Sequence, residues 1–259
     1  MPYSLPDFSY SVRRVVNVTS RRSHQTWNQS CRGFRTTPLG QTNQSDVHQD
    51  TTAHSTKSVK PSKVRFLLPR PKRIVVGITG ATGTPYAIRL LEILKELDVE
   101  THLIISKWAL ATLKYECSLT ESQIRSLAHS NYTSKDMSAP IASGSFQHDG
   151  MVVVPCSMKT LAAIRIGFGD ELIARAADVS LKENRKLVLA IRETPLNDIH
   201  LDNMLFLRRA GAVIFPPVPA FYTRPKSLEE VVDQSVGRML DMLGFNVEGF
   251  ERWDGFRKD

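Results

Sequence analysis

The sequence predicts an α/β fold: a three-layer, mostly parallel sheet of Rossmann-like or flavodoxin-like type, forming one domain. Three observations predict it. Short β-branched apolar runs alternate with segments of helical apolar spacing through residues 73–245, the pattern that successive βαβ units produce. The first run ends in a glycine-containing turn, Gly80-Ala81-Thr82-Gly83, and passes straight into a helix. No internal repeat interrupts the alternation.

The elements follow in order. Ile74 to Thr79 is an apolar strand of the kind buried on both faces. Pro85 suits the first turn of a helix, and Ala87, Leu90, Leu91 and Leu94 give the helix from Tyr86 to Leu97 one apolar face. Thr101 to Ile105 is a second strand and Trp108 to Tyr115 a second helix. Residues 118–149 are polar and mixed, and no element is assigned to them. Gly150 to Val154 reads as a third strand, broken by Pro155, with a helix from Leu161. Asp170 to Ser180 is helical, Lys186 to Ile191 a strand, Asp198 to Arg209 a helix and Ala212 to Phe215 a strand. A proline-rich loop follows, and Ser227 caps a last helix running to about Leu243.

Composition bounds the rest. A hydrophobic fraction of 41% and a charged fraction of 23% over 259 residues exclude a wholly disordered chain. Cys31, Cys117 and Cys156 are too few and too scattered for a disulfide framework or a cysteine-rich zinc site, which points to a reducing compartment. The net charge of +8 is unevenly placed: residues 1–73 hold 13 Lys/Arg against 3 Asp/Glu, and residues 74–259 hold 21 against 23. The folded part is nearly neutral, so no nucleic-acid-binding surface is implied. Residues 1–60 are rich in Arg and Ser and poor in acids, as mitochondrial presequences are. They are expected to be a disordered address to the mitochondrial matrix, followed by a linker at 61–72, a domain at 73–245 and a tail at 246–259. No apolar stretch is long enough for a membrane span.

Three constellations carry candidate chemistry. In Gly80-Ala81-Thr82-Gly83, glycines let backbone N–H groups close on a phosphate at a helix N-terminus. The turn is neither GxGxxG nor a Walker loop, and a tight turn without a ligand has the same sequence signature. Cys156-Ser157-Met158-Lys159-Thr160 occupies another strand-to-helix junction, where open α/β sheets bind ligands. There Ser157 is equally a plain N-cap, and Cys156 is expected to pack in the core. The third is a scattered set of cations and one carboxylate, Arg175, Lys182, Arg192, Glu193 and Arg238, with Tyr222; convergent cations suit a second phosphate. The seven histidines show no metal-ligand spacing, so no metal is expected.

Taken together, VGITGATG (76–83), HLIISKWA (102–109), ASGSFQHDGMVVVPCSMKTLAAI (142–164), RAADVSLKE (175–183), LAIRETPL (189–196), HLDNML (200–205) and GAVIFPPVPAFYTRP (211–225) resemble the UbiX-type flavin prenyltransferase family, including its fungal mitochondrial branch once described as phenylacrylic acid decarboxylases. The resemblance spans nearly all of residues 73–243 and none of residues 1–70. It implies transfer of a dimethylallyl group from dimethylallyl phosphate to N5 and C6 of reduced FMN, without a metal. The prenylated FMN would then pass to a UbiD-type or ferulic acid decarboxylase. It also implies a homododecamer with FMN at subunit interfaces.

Residue roles follow by position. The resemblance places FMN on Gly80, Ala81, Thr82, Ser106, Ser157, Met158, Lys159, Thr160 and Arg192. It places the donor phosphate near Lys182, Arg175, Glu193, Tyr222 and Arg238, with Trp253 closing over the substrate. Glu116 is implied as the acid/base group, and Thr82, Lys182 and Glu193 as its catalytic companions. Thr82 stands where many members have Ser, Met137 where some place Trp, and Asn184 where Arg is common. A direct FMN-dependent decarboxylase, of aromatic (phenylacrylic) acids or of the phosphopantothenoylcysteine type, is the alternative; the latter type would carry a catalytic His early in the fold and a PxMN motif, whereas residues 107–117 contain no His and no PxMN appears. A non-catalytic flavin-binding subunit would lack the Lys182, Glu193, Tyr222 and Arg238 set, which is present.

Overall fold

A computed structural model describes residues 70–255. The predicted presequence and most of the predicted linker lie outside the described residues. The elements are β1 (Arg73–Ile78), α1 (Thr84–Glu96), β2 (Glu100–Ile105), α2 (Lys107–Glu116), α3 (Glu121–Arg125), β3 (Ser130–Thr133), β4 (Gly150–Cys156), α4 (Met158–Arg165), α5 (Leu172–Lys182), β5 (Lys186–Ile191), α6 (Asp198–Arg209), β6 (Val213–Ile214) and α7 (Leu228–Leu243), with 3-10 turns at Pro140–Ala142 and Phe221–Thr223.

Six strands form one sheet in the order β3-β2-β1-β4-β5-β6, every pairing parallel. This is the doubly wound order of dinucleotide-binding sheets. Side chains alternate faces along a strand. Ile74, Val76 and Ile78 of β1 therefore pack under Leu90, Leu91 and Leu94 of α1 and Met239 and Leu240 of α7. Val75 faces the other way, with Met151 and Val153 of β4, against Leu161 of α4 and Leu172, Ile173 and Ala176 of α5. The sheet is thus sealed by α1, α2, α3 and α7 on one side and by α4, α5 and α6 on the other, giving the three expected layers.

Two sequence readings need correction. Residues 118–149 are not featureless: they hold α3, whose Thr120–Gln123 capping box is complete, and β3. β3 is a four-residue polar edge strand with no face fully buried, so it carries no apolar period to detect. Pro155 does not end its strand. β4 continues to Cys156 because the proline sits in a register shift between Val153 and Cys156, where the ladder tolerates a residue without an N–H. α4 accordingly begins at Met158 rather than Leu161, capped by Ser157.

The N-terminal edge of the sheet is tied by charge. Arg70 and the Arg73 N–H both bond Asp149, and Lys72 caps α7 through the Gly244 carbonyl. Arg73 also pairs with Glu100, which accepts from His102 Nε2 at 3.0 Å, while His102 Nδ1 meets the Tyr132 hydroxyl. Nearby His148 is buried, with Nδ1 at 3.2 Å from the Gly150 carbonyl and Nε2 unpartnered.

Burial first, then the Arg185 charge, pushes His148 down to about 4. An unfolded chain takes up that proton near pH 6.5. Stability is therefore expected to fall as pH drops from about 6.5 to about 4. Thermal melts across that range should show a smaller loss for His148→Asn than for the parent chain. In the core, Leu103→Ala in β2 should lower stability by about 2–5 kcal/mol in urea unfolding, since Leu103 is fully buried.

Candidate active site

The chain leaves β1 for α1 on one face and leaves β4 for α4 on the other, and β1 and β4 are neighbours. A crevice at the carboxyl ends of two such strands is where open α/β sheets take ligands. One buried side chain joins its two walls: the Thr79 hydroxyl donates to the Pro155 carbonyl at 2.7 Å and accepts from the Ser157 N–H at 2.9 Å. The Ser106 N–H bonds the Ile78 carbonyl, and the Arg192 N–H bonds the Cys156 carbonyl. The structure thus brings Gly80–Thr82, Ser106, Ser157–Thr160 and Arg192–Glu193 to one edge of the sheet.

Within that edge the hydroxyls shape the helix starts. Ser106 Oγ accepts from the Ala109 N–H and caps α2. Ser157 Oγ caps α4 through the Thr160 N–H and lies 3.2 Å from Thr160 Oγ1. Lys159 is exposed, 3.6 Å from Glu171. A Cβ on Gly80 would lie 2.4 Å from the Trp108 Cβ, so glycine there is what lets α2 approach the loop. Cys156 is fully buried, and burial pushes its thiol up to about 12. It is core, as expected, and not a nucleophile.

Glu116 closes the α1 side. Its Oε2 accepts from the Gly83 N–H at 2.9 Å and the Thr84 N–H at 2.8 Å. Burial alone would raise this carboxyl, but hydrogen bonds from the Thr82 hydroxyl and from the Thr84 and Gly83 N–H groups outweigh it. Glu116 is held ionised, below the usual carboxylate range. It occupies the anion position at the α1 N-terminus, so the N–H groups there serve a carboxylate and not a ligand phosphate. The other polar groups of this edge are the Ser157 and Thr160 hydroxyls at the start of α4 and Arg192 after β5. Beside Glu116 opens a groove of about 710 Å³, lined by Thr82, Tyr86, Cys117, Leu228 and Val232 among others, a size suited to an organic ligand.

Of the other sequence-selected residues, Lys182 lies at the far end of β5 from this edge. Lys182 ends α5 and pairs with Glu183, just before β5 begins; Glu193 follows the end of β5. Six strand residues, about 20 Å, separate the two. Arg175 bonds the Ala142 carbonyl and Asp178. Tyr222 meets Trp253 edge-on at 5.5 Å, and Arg238 lies 3.7 Å from Asp241. Sequence reasoning did not single out Thr79, Trp108, Asp241 or Arg252. Only the Phe-Glu-Arg-Trp run at 250–253 carried a signal, an aromatic and a cation placed next to Trp253.

Comparison with known proteins gives consistent relatives. A family model described as Flavoprotein matches residues 68–241. The mitochondrial flavin prenyltransferase PAD1 of Saccharomyces cerevisiae is 66% identical over 189 residues, 73% of this chain and 78% of that protein. The crystal structure of AnUbiX (PadA1) in complex with FMN and dimethylallyl pyrophosphate is 60% identical, covering 73% of this chain and 100% of that one with a TM-score of 0.72. A dodecameric FMN-dependent Ubix-like decarboxylase from Escherichia coli O157:H7 is 49% identical, covering 71% of this chain and 100% of that one with a TM-score of 0.70.

Glu116→Gln should cost about 1 kcal/mol of stability at pH 7, as loss of a helix N-terminal carboxylate does. A lowered carboxyl stabilises above its unfolded pKa, so the difference should vanish as acid protonates Glu116. Urea unfolding over a descending pH series from pH 7 checks both.

Proposed function

Because this chain belongs to the Flavoprotein family, and within it to the UbiX-type flavin prenyltransferases, we propose that it joins a dimethylallyl group to N5 and C6 of reduced FMN. The observation that carries the reading is the crevice between β1 and β4, with Ser157 and Thr160 at the start of α4, Arg192 bonded through its N–H to the Cys156 carbonyl, and an ionised Glu116 at the start of α1. Two hydroxyls, two cations and the start of α4 are a donor set that fits the phosphate of FMN. Reduced FMN, when bound, supplies the electron-rich N5 and C6 that take the new bonds.

The remaining work falls to the chain. Breaking the C–O bond of the donor leaves its electron pair on phosphate and a cationic allyl group. Lys182, Arg175, Arg238 and the Tyr222 hydroxyl hold that phosphate, and Glu193 orients the cations around it. Thr82 and Glu116 stand together at the groove. Glu116 is already a carboxylate, ready to take the proton released as the ring closes. Gly80, Ala81, Ser106 and Met158 line the flavin's seat, and Trp253 shields the allyl group from water.

Lys182 and Glu193 lie at opposite ends of β5, so one chain does not bring them together. We infer that neighbouring subunits of a homododecamer complete each site. The donor is dimethylallyl phosphate, the single-phosphate relative of the pyrophosphate held by AnUbiX (PadA1). The product serves a UbiD-type decarboxylase. The acid-poor, Arg-rich N-terminal segment and the mitochondrial PAD1 relative support an address in the mitochondrial matrix.

The test is anaerobic incubation of the full chain with FMN, dithionite and dimethylallyl phosphate, then mass spectrometry of the extracted flavin. The expected result is a gain of one C5H8 unit. Lys182→Ala should slow transfer by about 10²–10³-fold, as removal of one preorganised charge does. Unmodified FMN on a folded, flavin-loaded protein would overturn the reading, and turnover of phenylacrylic acids under those conditions would establish direct decarboxylation instead.

A further inference from the structure

Residues after α7 do not trail away. Phe250 lays its ring on Gly237 in the middle of α7, where a Cβ would come within 2.2 Å of the ring. Only glycine at this helical position admits the ring. Arg252 then reaches back to α7 with a two-pronged pair: its NH1 bonds Asp241 Oδ2 at 2.7 Å and its NH2 bonds Asp241 Oδ1 at 2.8 Å. NH2 also donates to the Val247 carbonyl, and the guanidinium stacks 4.3 Å from the Phe250 ring. Held this way, the next residue, Trp253, meets Tyr222 edge-on.

Asp241 has a second cation within reach. Arg238 lies one helical turn earlier, the spacing at which Arg and Asp pair, yet its NH1 stands 3.7 Å from Oδ2. That is beyond a hydrogen bond. Arg252 already engages both carboxylate oxygens at 2.7 and 2.8 Å, and a planar guanidinium fork is the geometry a carboxylate pairs with best. The Arg238 side chain is left about half exposed, in a long ion pair with Asp241 and no hydrogen bond to it.

We propose that the Asp241–Arg252 pair is a positioning device that seats Trp253 against Tyr222 and, by engaging both oxygens of Asp241, keeps Arg238 from closing a hydrogen bond to it and so available to the donor phosphate. This rests on the reading above, that Arg238 contacts that phosphate. Without Arg252, Asp241 captures Arg238 at its i+3 spacing and withdraws it. Asp241, Arg252 and Phe250 then act on the reaction through Arg238 and Trp253 and need not touch the substrate.

The experiment measures KM and kcat for dimethylallyl phosphate with the full chain, comparing Arg252→Ala, Asp241→Asn, the Arg252→Ala/Asp241→Asn double variant, Arg252→Lys and Arg238→Ala. Arg252→Ala should raise KM about tenfold, the loss of one charge-assisted contact, with a smaller change in kcat. Adding Asp241→Asn should bring KM back toward the parent value, because no carboxylate remains to capture Arg238. A tail that merely stabilises the fold would make the double variant at least as impaired as the single one, and that result overturns the proposal. Arg252→Lys, a cation without the fork, should fall between the parent and Arg252→Ala. If Arg238→Ala raises KM and Arg252→Ala does not, the device is refuted while the phosphate role of Arg238 stands. If Arg238→Ala leaves KM unchanged, the phosphate role itself falls, and the device with it.

Discussion

The whole site depends on one buried hydroxyl. Thr79, at the end of β1, is bonded on both sides to the segment that leaves β4. It fixes the separation of two loops that depart to opposite faces of the sheet, and so fixes the crevice between them. An isolated buried hydroxyl is costly and a fully satisfied one rigidifies its surroundings. Here it accepts from one backbone N–H and donates to one carbonyl, so neither loop can shift without breaking a buried bond. Ser106, Ser157 and Arg192 inherit their places from that arrangement.

Glu116 shows how one group serves fold and chemistry together. As an anion at the start of α1 it replaces the phosphate that a glycine-containing turn would otherwise attract. The same hydrogen bonds keep it ionised. In the proposed reaction, a lowered carboxylate is a weak base that suits a proton made acidic only as the new ring forms. The glycine turn is therefore less a phosphate cradle than a platform: Gly80 admits α2, and α2 delivers both Trp108 and Glu116.

How much of this was legible in the sequence follows from which interactions are local. Buried strands, helix faces and the Ser157 and Ser227 caps leave periodic or short-range marks, and those elements were readable. β3 was not, because a polar edge strand has no buried face. Pro155 misled because whether a proline ends a strand depends on the partner strand's register. The turns after β1, β4 and β5 were legible as strand ends, but the Thr79 stitch spans 76 and 78 positions and leaves no local pattern. The separation of Lys182 from Glu193 was likewise invisible in a linear motif, although the strand between them was in plain view. The Phe250–Gly237 contact was hidden because a glycine inside a helix reads only as a weak helix former.

The central claim is that a flavin prenyltransferase site is built at the β1–β4 edge of one subunit and completed by Lys182 from another. Co-assembly of two inactive chains, Lys182→Ala and Arg192→Ala, tests it most directly. Sites that draw Arg192 from one chain and Lys182 from the other are whole, so mixed assemblies should recover prenyl transfer at roughly a quarter of the parent rate under random mixing. Mixed assemblies as inactive as either variant alone would contradict the account.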